Sequence, residues 1–101
     1  MYFENIRPED IFRQHINGRG ILVDVRDREQ YRTGHIPGAR NIPYEELQYK
    51  MSELKRSAVI IVYCDRGNTS LRAARDLSRA GFRVKNVYGG MQNYHGPITS
   101  D

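Results

Sequence analysis

The only cysteine of this 101-residue chain, Cys64, ends its most apolar stretch, Ala58-Val59-Ile60-Ile61-Val62-Tyr63, and is followed by Asp65-Arg66-Gly67-Asn68-Thr69-Ser70. A cysteine in that place is either a small buried hydrophobe closing a core strand, the ordinary fate of a free thiol, or a nucleophile. The polar segment favours the nucleophile, because a structural cysteine has no need of an arginine, a glycine and a polar loop beside it. Residues 65–69 contain glycine and no proline, so every amide in this expected five-residue loop can donate. A short loop curling round Sγ can aim several of them at one point, as an anion nest. The formal charge of Arg66 and the positive end of a following helix would both favour the thiolate. A single cysteine also excludes an internal disulfide and any multi-cysteine zinc or iron–sulfur site.

A nucleophile must be held by regular elements, and the apolar pattern supplies them. Residues 58–63 lack alternation and are rich in β-branched side chains, which predicts a strand buried on both faces, central in a parallel sheet. Ser70 to Ala80 reads as a helix, with Thr69 or Ser70 as N-cap and Gly81 past its end. Ala73, Ala74, Leu77 and Ala80 share one face of it, and Arg72, Arg75 and Arg79 the other, solvated face. Upstream, Pro8-Glu9-Asp10 opens a helix that stops at Asn17-Gly18. Ile21 to Val25 reads as a strand, and Asp27 to Arg32 as a short helix ended by Gly34. His35-Ile36-Pro37-Gly38 is a turn with glycine at a positive-φ position, and Ala39 to Ile42 a short strand stopped by Pro43. Tyr44 to Leu54 is an amphipathic helix carrying Leu47, Met51 and Leu54. Arg83 to Tyr88 is a further strand, and Gly89-Gly90 leads into a short helix from Met91. Strands and helices alternate, so the expected class is α/β, with a mainly parallel sheet covered by helices on both faces. In such sheets ligands gather beyond the carboxyl ends of the strands, where Cys64 stands.

Length and composition fit one domain over residues 1–101, with 39% hydrophobic and 28% charged residues. The apolar runs are too short to span a membrane, and residues 1–10 show no export signal; both point to the cytoplasm. The formal charge of +4 is uneven. Residues 1–54 carry eight Lys/Arg against nine Asp/Glu, whereas residues 55–85 carry eight against two, Asp65 and Asp76. Arginine supplies 13 of the 16 cations, which suits recognition of oxyanions through planar donors. Nucleic acid is not an expected partner, since there is neither a lysine-rich tail nor aromatic–basic interleaving.

Cys64-Asp65-Arg66-Gly67-Asn68-Thr69-Ser70 resembles the Cys-x-x-Gly-x-x-Ser active-site loop of single-domain rhodaneses, which are sulfurtransferases. Asp24-Val25-Arg26, Glu29, Tyr31, Gly34 to Ala39 and Asn41-Ile42-Pro43 are similar to that family's upstream signature. Val87-Tyr88-Gly89-Gly90-Met91 and Tyr94 are similar to its downstream one, although the family usually has tryptophan at Tyr94 and a few more residues before the Gly-Pro that is here Gly96-Pro97. The resemblance implies a five-stranded parallel sheet with helices on both faces, and a persulfide on Cys64. Cys64 would take sulfur from thiosulfate or another small anionic sulfane donor and pass it to cyanide, a thiol or a protein acceptor, with no cofactor. Asp65, Arg66, Gly67, Asn68, Thr69 and Ser70 would bind the substrate, Arg66 through the sulfonate, while Asp65 opposes anions by its charge.

Asp24 lies in an apolar strand and needs a partner. We expect Asp24, Arg26, Glu29 and His35 to form a supporting network, with Arg26 and the Gly34–Gly38 turn as partners of Asp24. His35 as a general base is the lesser reading, since a thiolate needs none. His15 and His95 are expected at the surface, and three scattered histidines make no metal site. Two other functions remain open. One is a sulfur-relay or binding module with little thiosulfate turnover, as a monomer or weak dimer docking an acidic partner. The other is an oxyanion enzyme of the phosphatase or arsenate reductase type. Those loops are longer by one residue and carry an arginine six positions after cysteine, where this chain has Ser70.

Overall fold

The structure, a computed structural model, describes residues 3–16 and 20–101, with the backbone alone for residues 14–16. Five strands, β1 (Glu4–Ile6), β2 (Gly20–Asp24), β3 (Arg40–Asn41), β4 (Val59–Tyr63) and β5 (Arg83–Val87), form one sheet in the order β1-β5-β4-β2-β3. Every pairing is parallel. The helices are α1 (Ile11–Ile16), α2 (Arg28–Thr33), α3 (Leu47–Lys50) and α4 (Asn68–Arg79). β4 is central, hydrogen-bonded to β2 on one side and β5 on the other.

The unbroken apolar run of β4 serves two cores. Ile60 and Val62 pack with Val23, with Leu47 of α3, and with Ala73, Ala74 and Leu77 of α4. Ile61 and Tyr63 face the other way, against Leu22, Ile36, Val87, Tyr94 and Ile11 of α1. Alternate residues of one strand thus feed both layers, which is why the strand shows no polar face. Asp27 caps α2 by accepting the Gln30 N–H at 2.8 Å, and Gly34 ends that helix. The next turn closes through an Ala39 N–H to Ile36 carbonyl bond of 3.1 Å, with Gly38 at φ +88°.

Three expectations need correction, and a fourth lies elsewhere. β1 was not anticipated: it is a three-residue edge strand in which only Ile6 is buried, too short to leave an apolar pattern. Tyr44 to Leu54 is not one helix but a 3-10 turn (Tyr44–Glu46), the single turn α3, and another 3-10 turn (Met51–Glu53). Leu47 and Leu54 are buried and Met51 packs on the core, but three anchors in eleven residues are too few to hold a regular helix. α4 begins at Asn68, earlier than expected, with Gly67 as N-cap and no side-chain cap bond, so neither Thr69 nor Ser70 caps it. The expected stop of α1 at Asn17-Gly18 lies outside the described residues. No helix among the described residues is long and apolar enough to cross a membrane.

Leu77 is fully buried between α4 and the sheet. Leu77→Ala is expected to cost about 2–5 kcal/mol of stability, read as a lowered urea midpoint with an unchanged m-value.

Candidate functional site

The chain leaves β4 at Tyr63 and enters α4 at Asn68, so only four residues separate strand from helix. Gly67 makes this reversal possible: its φ of +104° is left-handed, where a side chain would be strained. The reversal turns two amides onto Cys64. Its Sγ accepts the N–H of Gly67 at 3.0 Å and that of Ser70 at 3.3 Å. Ser70 Oγ lies 3.4 Å from the same sulfur and donates to the Gly67 carbonyl at 3.3 Å. Among the described residues, Gly67 and Ser70 are the two that direct an N–H to Sγ, and the amides of Asp65 and Arg66 do not.

The loop is held from behind. The Met91 N–H donates to the Cys64 carbonyl at 2.9 Å and the Gln92 N–H to that of Asp65 at 3.0 Å. Gly90, at φ +59°, allows this approach: a Cβ there would sit 2.3 Å from the Cys64 carbonyl oxygen.

Cys64 is 4% exposed, yet it lines an open pocket of about 520 Å³ together with Asp65, Arg66, Asn68, Thr69 and Arg72. A somewhat larger hollow, about 570 Å³, lies past the loop between Asn5, Asn86 and Tyr88. It shares Arg66 and Asn68 but not Cys64, so the smaller pocket is the one with access to the sulfur. Arg66 is largely exposed and lies 3.9 Å from the Asp65 carboxylate. Gly67 and Ser70 are buried and serve Sγ through backbone and hydroxyl.

Sequence reasoning missed the rest of the pocket wall. Arg72, placed on the solvated face of α4, lines it, as do Tyr44, Asp27, Gln30 and Glu45. The available signal was helical spacing: Arg72 stands four residues after Asn68, on the same face of α4. No group of three His, Cys, Asp or Glu side chains able to hold a metal ion occurs among the described residues.

Residues 9–96 match the model of the rhodanese-like domain. The chain belongs to that family. It is 42% identical over 92 residues to the HTH-type transcriptional regulator Rv0324 of Mycobacterium tuberculosis, covering 85% of this chain and 39% of that protein. It is 38% identical over 76 residues to the putative sulfur carrier protein YrkF of Bacillus subtilis, covering 74% of this chain and 41% of that one. The chain therefore spans well under two thirds of these relatives. The crystal structure of a rhodanese-related protein from Thermoplasma volcanium superposes with a TM-score of 0.89 at 28% identity, covering 98% of this chain and all (100%) of that one.

In this rhodanese-like domain a buried ion pair supports the pocket on the β2 side. Asp24 is fully buried, and its carboxylate accepts the Arg26 N–H at 2.9 Å and the guanidinium at 2.8–3.1 Å. Arg26 Nη2 also donates to the Gly34 carbonyl at 2.7 Å, tying the pair to the turn after α2. Burial works against the charged guanidinium, but its bonds and charge contact with Asp24 outweigh it and raise the Arg26 pKa. The same surroundings, burial first and the Asp24 charge second, keep the Tyr63 phenol protonated, and it accepts the Ile36 N–H at 3.1 Å.

The expected network is only half present. Glu29 is exposed on α2 and bonds to none of these groups. His35 is buried but turned away: its Nδ1 lies 2.8 Å from the Tyr31 carbonyl and its ring stacks on Tyr31 at 3.6 Å. It does not line the Cys64 pocket, so it cannot act there as a base. His95 is exposed, and the side chain of His15 lies outside the described residues.

Asp24→Ala strands a buried guanidinium. It is expected to cost about 3–5 kcal/mol in chemical denaturation, and the double variant Asp24→Leu/Arg26→Met should recover a large part of that loss.

Proposed function

We propose that this domain is a sulfurtransferase in which Cys64 carries a persulfide. The observation behind this reading is the pair of N–H groups, from Gly67 and Ser70, directed at a sulfur that borders an open pocket. The Cys64 thiolate attacks the outer sulfur of thiosulfate or a similar sulfane donor. A new S–S bond forms, the donor's S–S bond breaks, and sulfite leaves with the electron pair. The persulfide anion is then attacked at its outer sulfur by cyanide or a thiol, which departs with that sulfur and regenerates the thiolate.

Physical chemistry favours holding the anion here. A hydrogen bond to a charged group contributes roughly 1.5–3 kcal/mol, so two amides offset a substantial part of the desolvation cost. Ser70 Oγ, 3.4 Å away, can swing its proton from the Gly67 carbonyl to the sulfur once charge develops there. Asp65, Arg66, Asn68 and Thr69 border the space a small donor would occupy. A phosphate ester fits less well, since a tetrahedral oxyanion needs more donors than two amides and Ser70 stands where phosphatase loops carry arginine.

One observation favours a second reading, sulfur relay between proteins with slow thiosulfate turnover. Asp27, Glu45 and Asp65 line the pocket and oppose a small dianion. The name of the related putative sulfur carrier points the same way. In this reading the acceptor is a protein or peptide thiol in a reducing cytoplasm, where a lone cysteine stays free.

Mass spectrometry after thiosulfate treatment tests both. We expect a gain of about 32 Da, one sulfur atom, on Cys64, removed by cyanide as thiocyanate. Loading with slow cyanide turnover selects relay, and no loading from any sulfane donor rejects both readings. Cys64→Ser should abolish loading and thiocyanate formation while leaving the circular dichroism spectrum unchanged. Ser70→Ala should slow loading several-fold without abolishing it.

A further inference from the structure

We infer that Arg72, rather than Arg66, is the specificity-determining residue that recognises the oxyanion end of the reagent attacking or attacked by Cys64, and that Tyr44 holds it in place. The inference takes the identity of the donor from the sulfurtransferase reading above, but the anion site itself stands on geometry.

Three arginines line the Cys64 pocket, Arg26, Arg66 and Arg72. Arg26 is bound up with Asp24 at 2.8 Å and with the Gly34 carbonyl. Arg66 projects into solvent with its side chain 73% exposed and has the Asp65 carboxylate 3.9 Å away, so its charge is both screened and partly offset. Arg72 is exposed like Arg66 but differs from both in its partners. No carboxylate of the described residues makes an ion pair with it, and its guanidinium carbon lies 5.1 Å from the centroid of the Tyr44 ring. Such a cation–π contact fixes a long side chain without using its N–H donors.

Tyr44 is itself anchored. Its hydroxyl donates to Asp76 Oδ2 at 2.8 Å, and Asp76 sits one turn beyond Arg72 on α4. The hydrogen bond to Asp76, followed by burial, raises the Tyr44 pKa, so the phenol remains a neutral donor and the ring a stable platform. Arg72 is thereby held against Tyr44 at the edge of the pocket, on the helix whose first turn supplies the Ser70 amide. A donor that is anionic at one end and carries sulfur at the other can place its oxygens on Arg72 and its sulfur toward Cys64. The carboxylates of Asp27, Glu45 and Asp65 share this pocket, so a cation at one defined point sets the orientation of the anion as well as its affinity.

The test uses two alkylating reagents of nearly equal size, iodoacetate and iodoacetamide. Each forms an S–C bond at Cys64 and expels iodide, but only the first is anionic. The ratio of their rates reports the anion site, and the iodoacetamide rate reports the nucleophile. We expect Arg72→Ala to lower the iodoacetate-to-iodoacetamide ratio about fivefold or more, and Arg66→Ala to change it less than twofold. Arg72→Lys should restore part of the ratio, Tyr44→Leu should lower it, and Tyr44→Phe, which keeps the ring, should lower it less. In thiosulfate loading, Arg72→Ala should raise the half-saturating concentration about tenfold with little change in the maximal rate.

An unchanged ratio in a folded Arg72→Ala protein overturns the inference, as does an equal fall in Arg66→Ala. Circular dichroism melting establishes folding in each case. If the ratio falls as expected while no sulfane donor loads the wild-type protein, the anion site stands and the sulfurtransferase reading fails.

Discussion

The two amides that meet Cys64 Sγ do so because the backbone reverses between β4 and α4 within four residues, and that reversal rests on Gly67 in the left-handed region. With a β-carbon there, the first turn of α4 would be displaced, and with it the Ser70 N–H that caps the sulfur at 3.3 Å. The reversal is braced from outside by Gly90, whose missing side chain lets Met91 and Gln92 donate to the carbonyls of Cys64 and Asp65. These bonds satisfy both carbonyls with backbone donors on the side of Gly90. One left-handed glycine inside the loop and one behind it turn donors inward and acceptors outward, which is the polarity an anion requires.

A reversal this tight needs rigid walls. β4 is hydrogen-bonded on both sides and buried on both faces, so Cys64 leaves the most constrained strand of the sheet. The opposite wall is set by Asp24 and Arg26, which spend their charges on each other and on the Gly34 carbonyl. The pair spans the end of β2, and Cys64 follows β4 at the same end of the parallel sheet, where the chain emerges. A buried ion pair is weak evidence for stability in itself. Its use here is positional: it fixes the turn after α2 relative to β2 without presenting a free charge to the sulfur.

Much of this was legible in the sequence where one residue type has one physical use. The unalternating, β-branched 58–63 run pointed to a central strand, and that placed the lone cysteine after it at the sheet's carboxyl end. Asp24 in an apolar strand demanded a partner, and of the two candidates, Arg26 and the Gly34–Gly38 turn, it is Arg26 that bonds to it. What was not legible depended on tertiary neighbours. β1 carries a single buried side chain, so its pairing with β5 left no local mark. Tyr44 to Leu54 kept its apolar spacing while losing regular helical hydrogen bonding, because spacing reports burial and not the bond pattern. Glu29 and His35 looked like members of the Asp24 network because they are near it in sequence, yet α2 turns one outward and stacks the other on Tyr31. Arg72 shared its solvated-looking face with Arg75. Its meeting with Tyr44, 28 positions earlier, depends on where the irregular 44–54 segment packs against α4.

A cysteine only 4% exposed is a poor nucleophile toward anything broad, since a bulky reagent cannot bring its reacting atom into line. Under the sulfur-transfer reading this sorts the two half-reactions by shape. The first must use a slender donor, or a slender end of a larger one, able to enter past Arg66 and Arg72. Once the persulfide forms, the reacting atom is the outer sulfur, about 2 Å further out along the new bond and into the pocket. The second partner therefore meets a more accessible electrophile than the first met as a nucleophile, and it need not be small. The covalent intermediate thus carries sulfur outward through space as well as through bonds. The burial that narrows donor choice is compatible with a broad protein acceptor, and the same pocket can serve a turnover enzyme or a relay according to which partner arrives second.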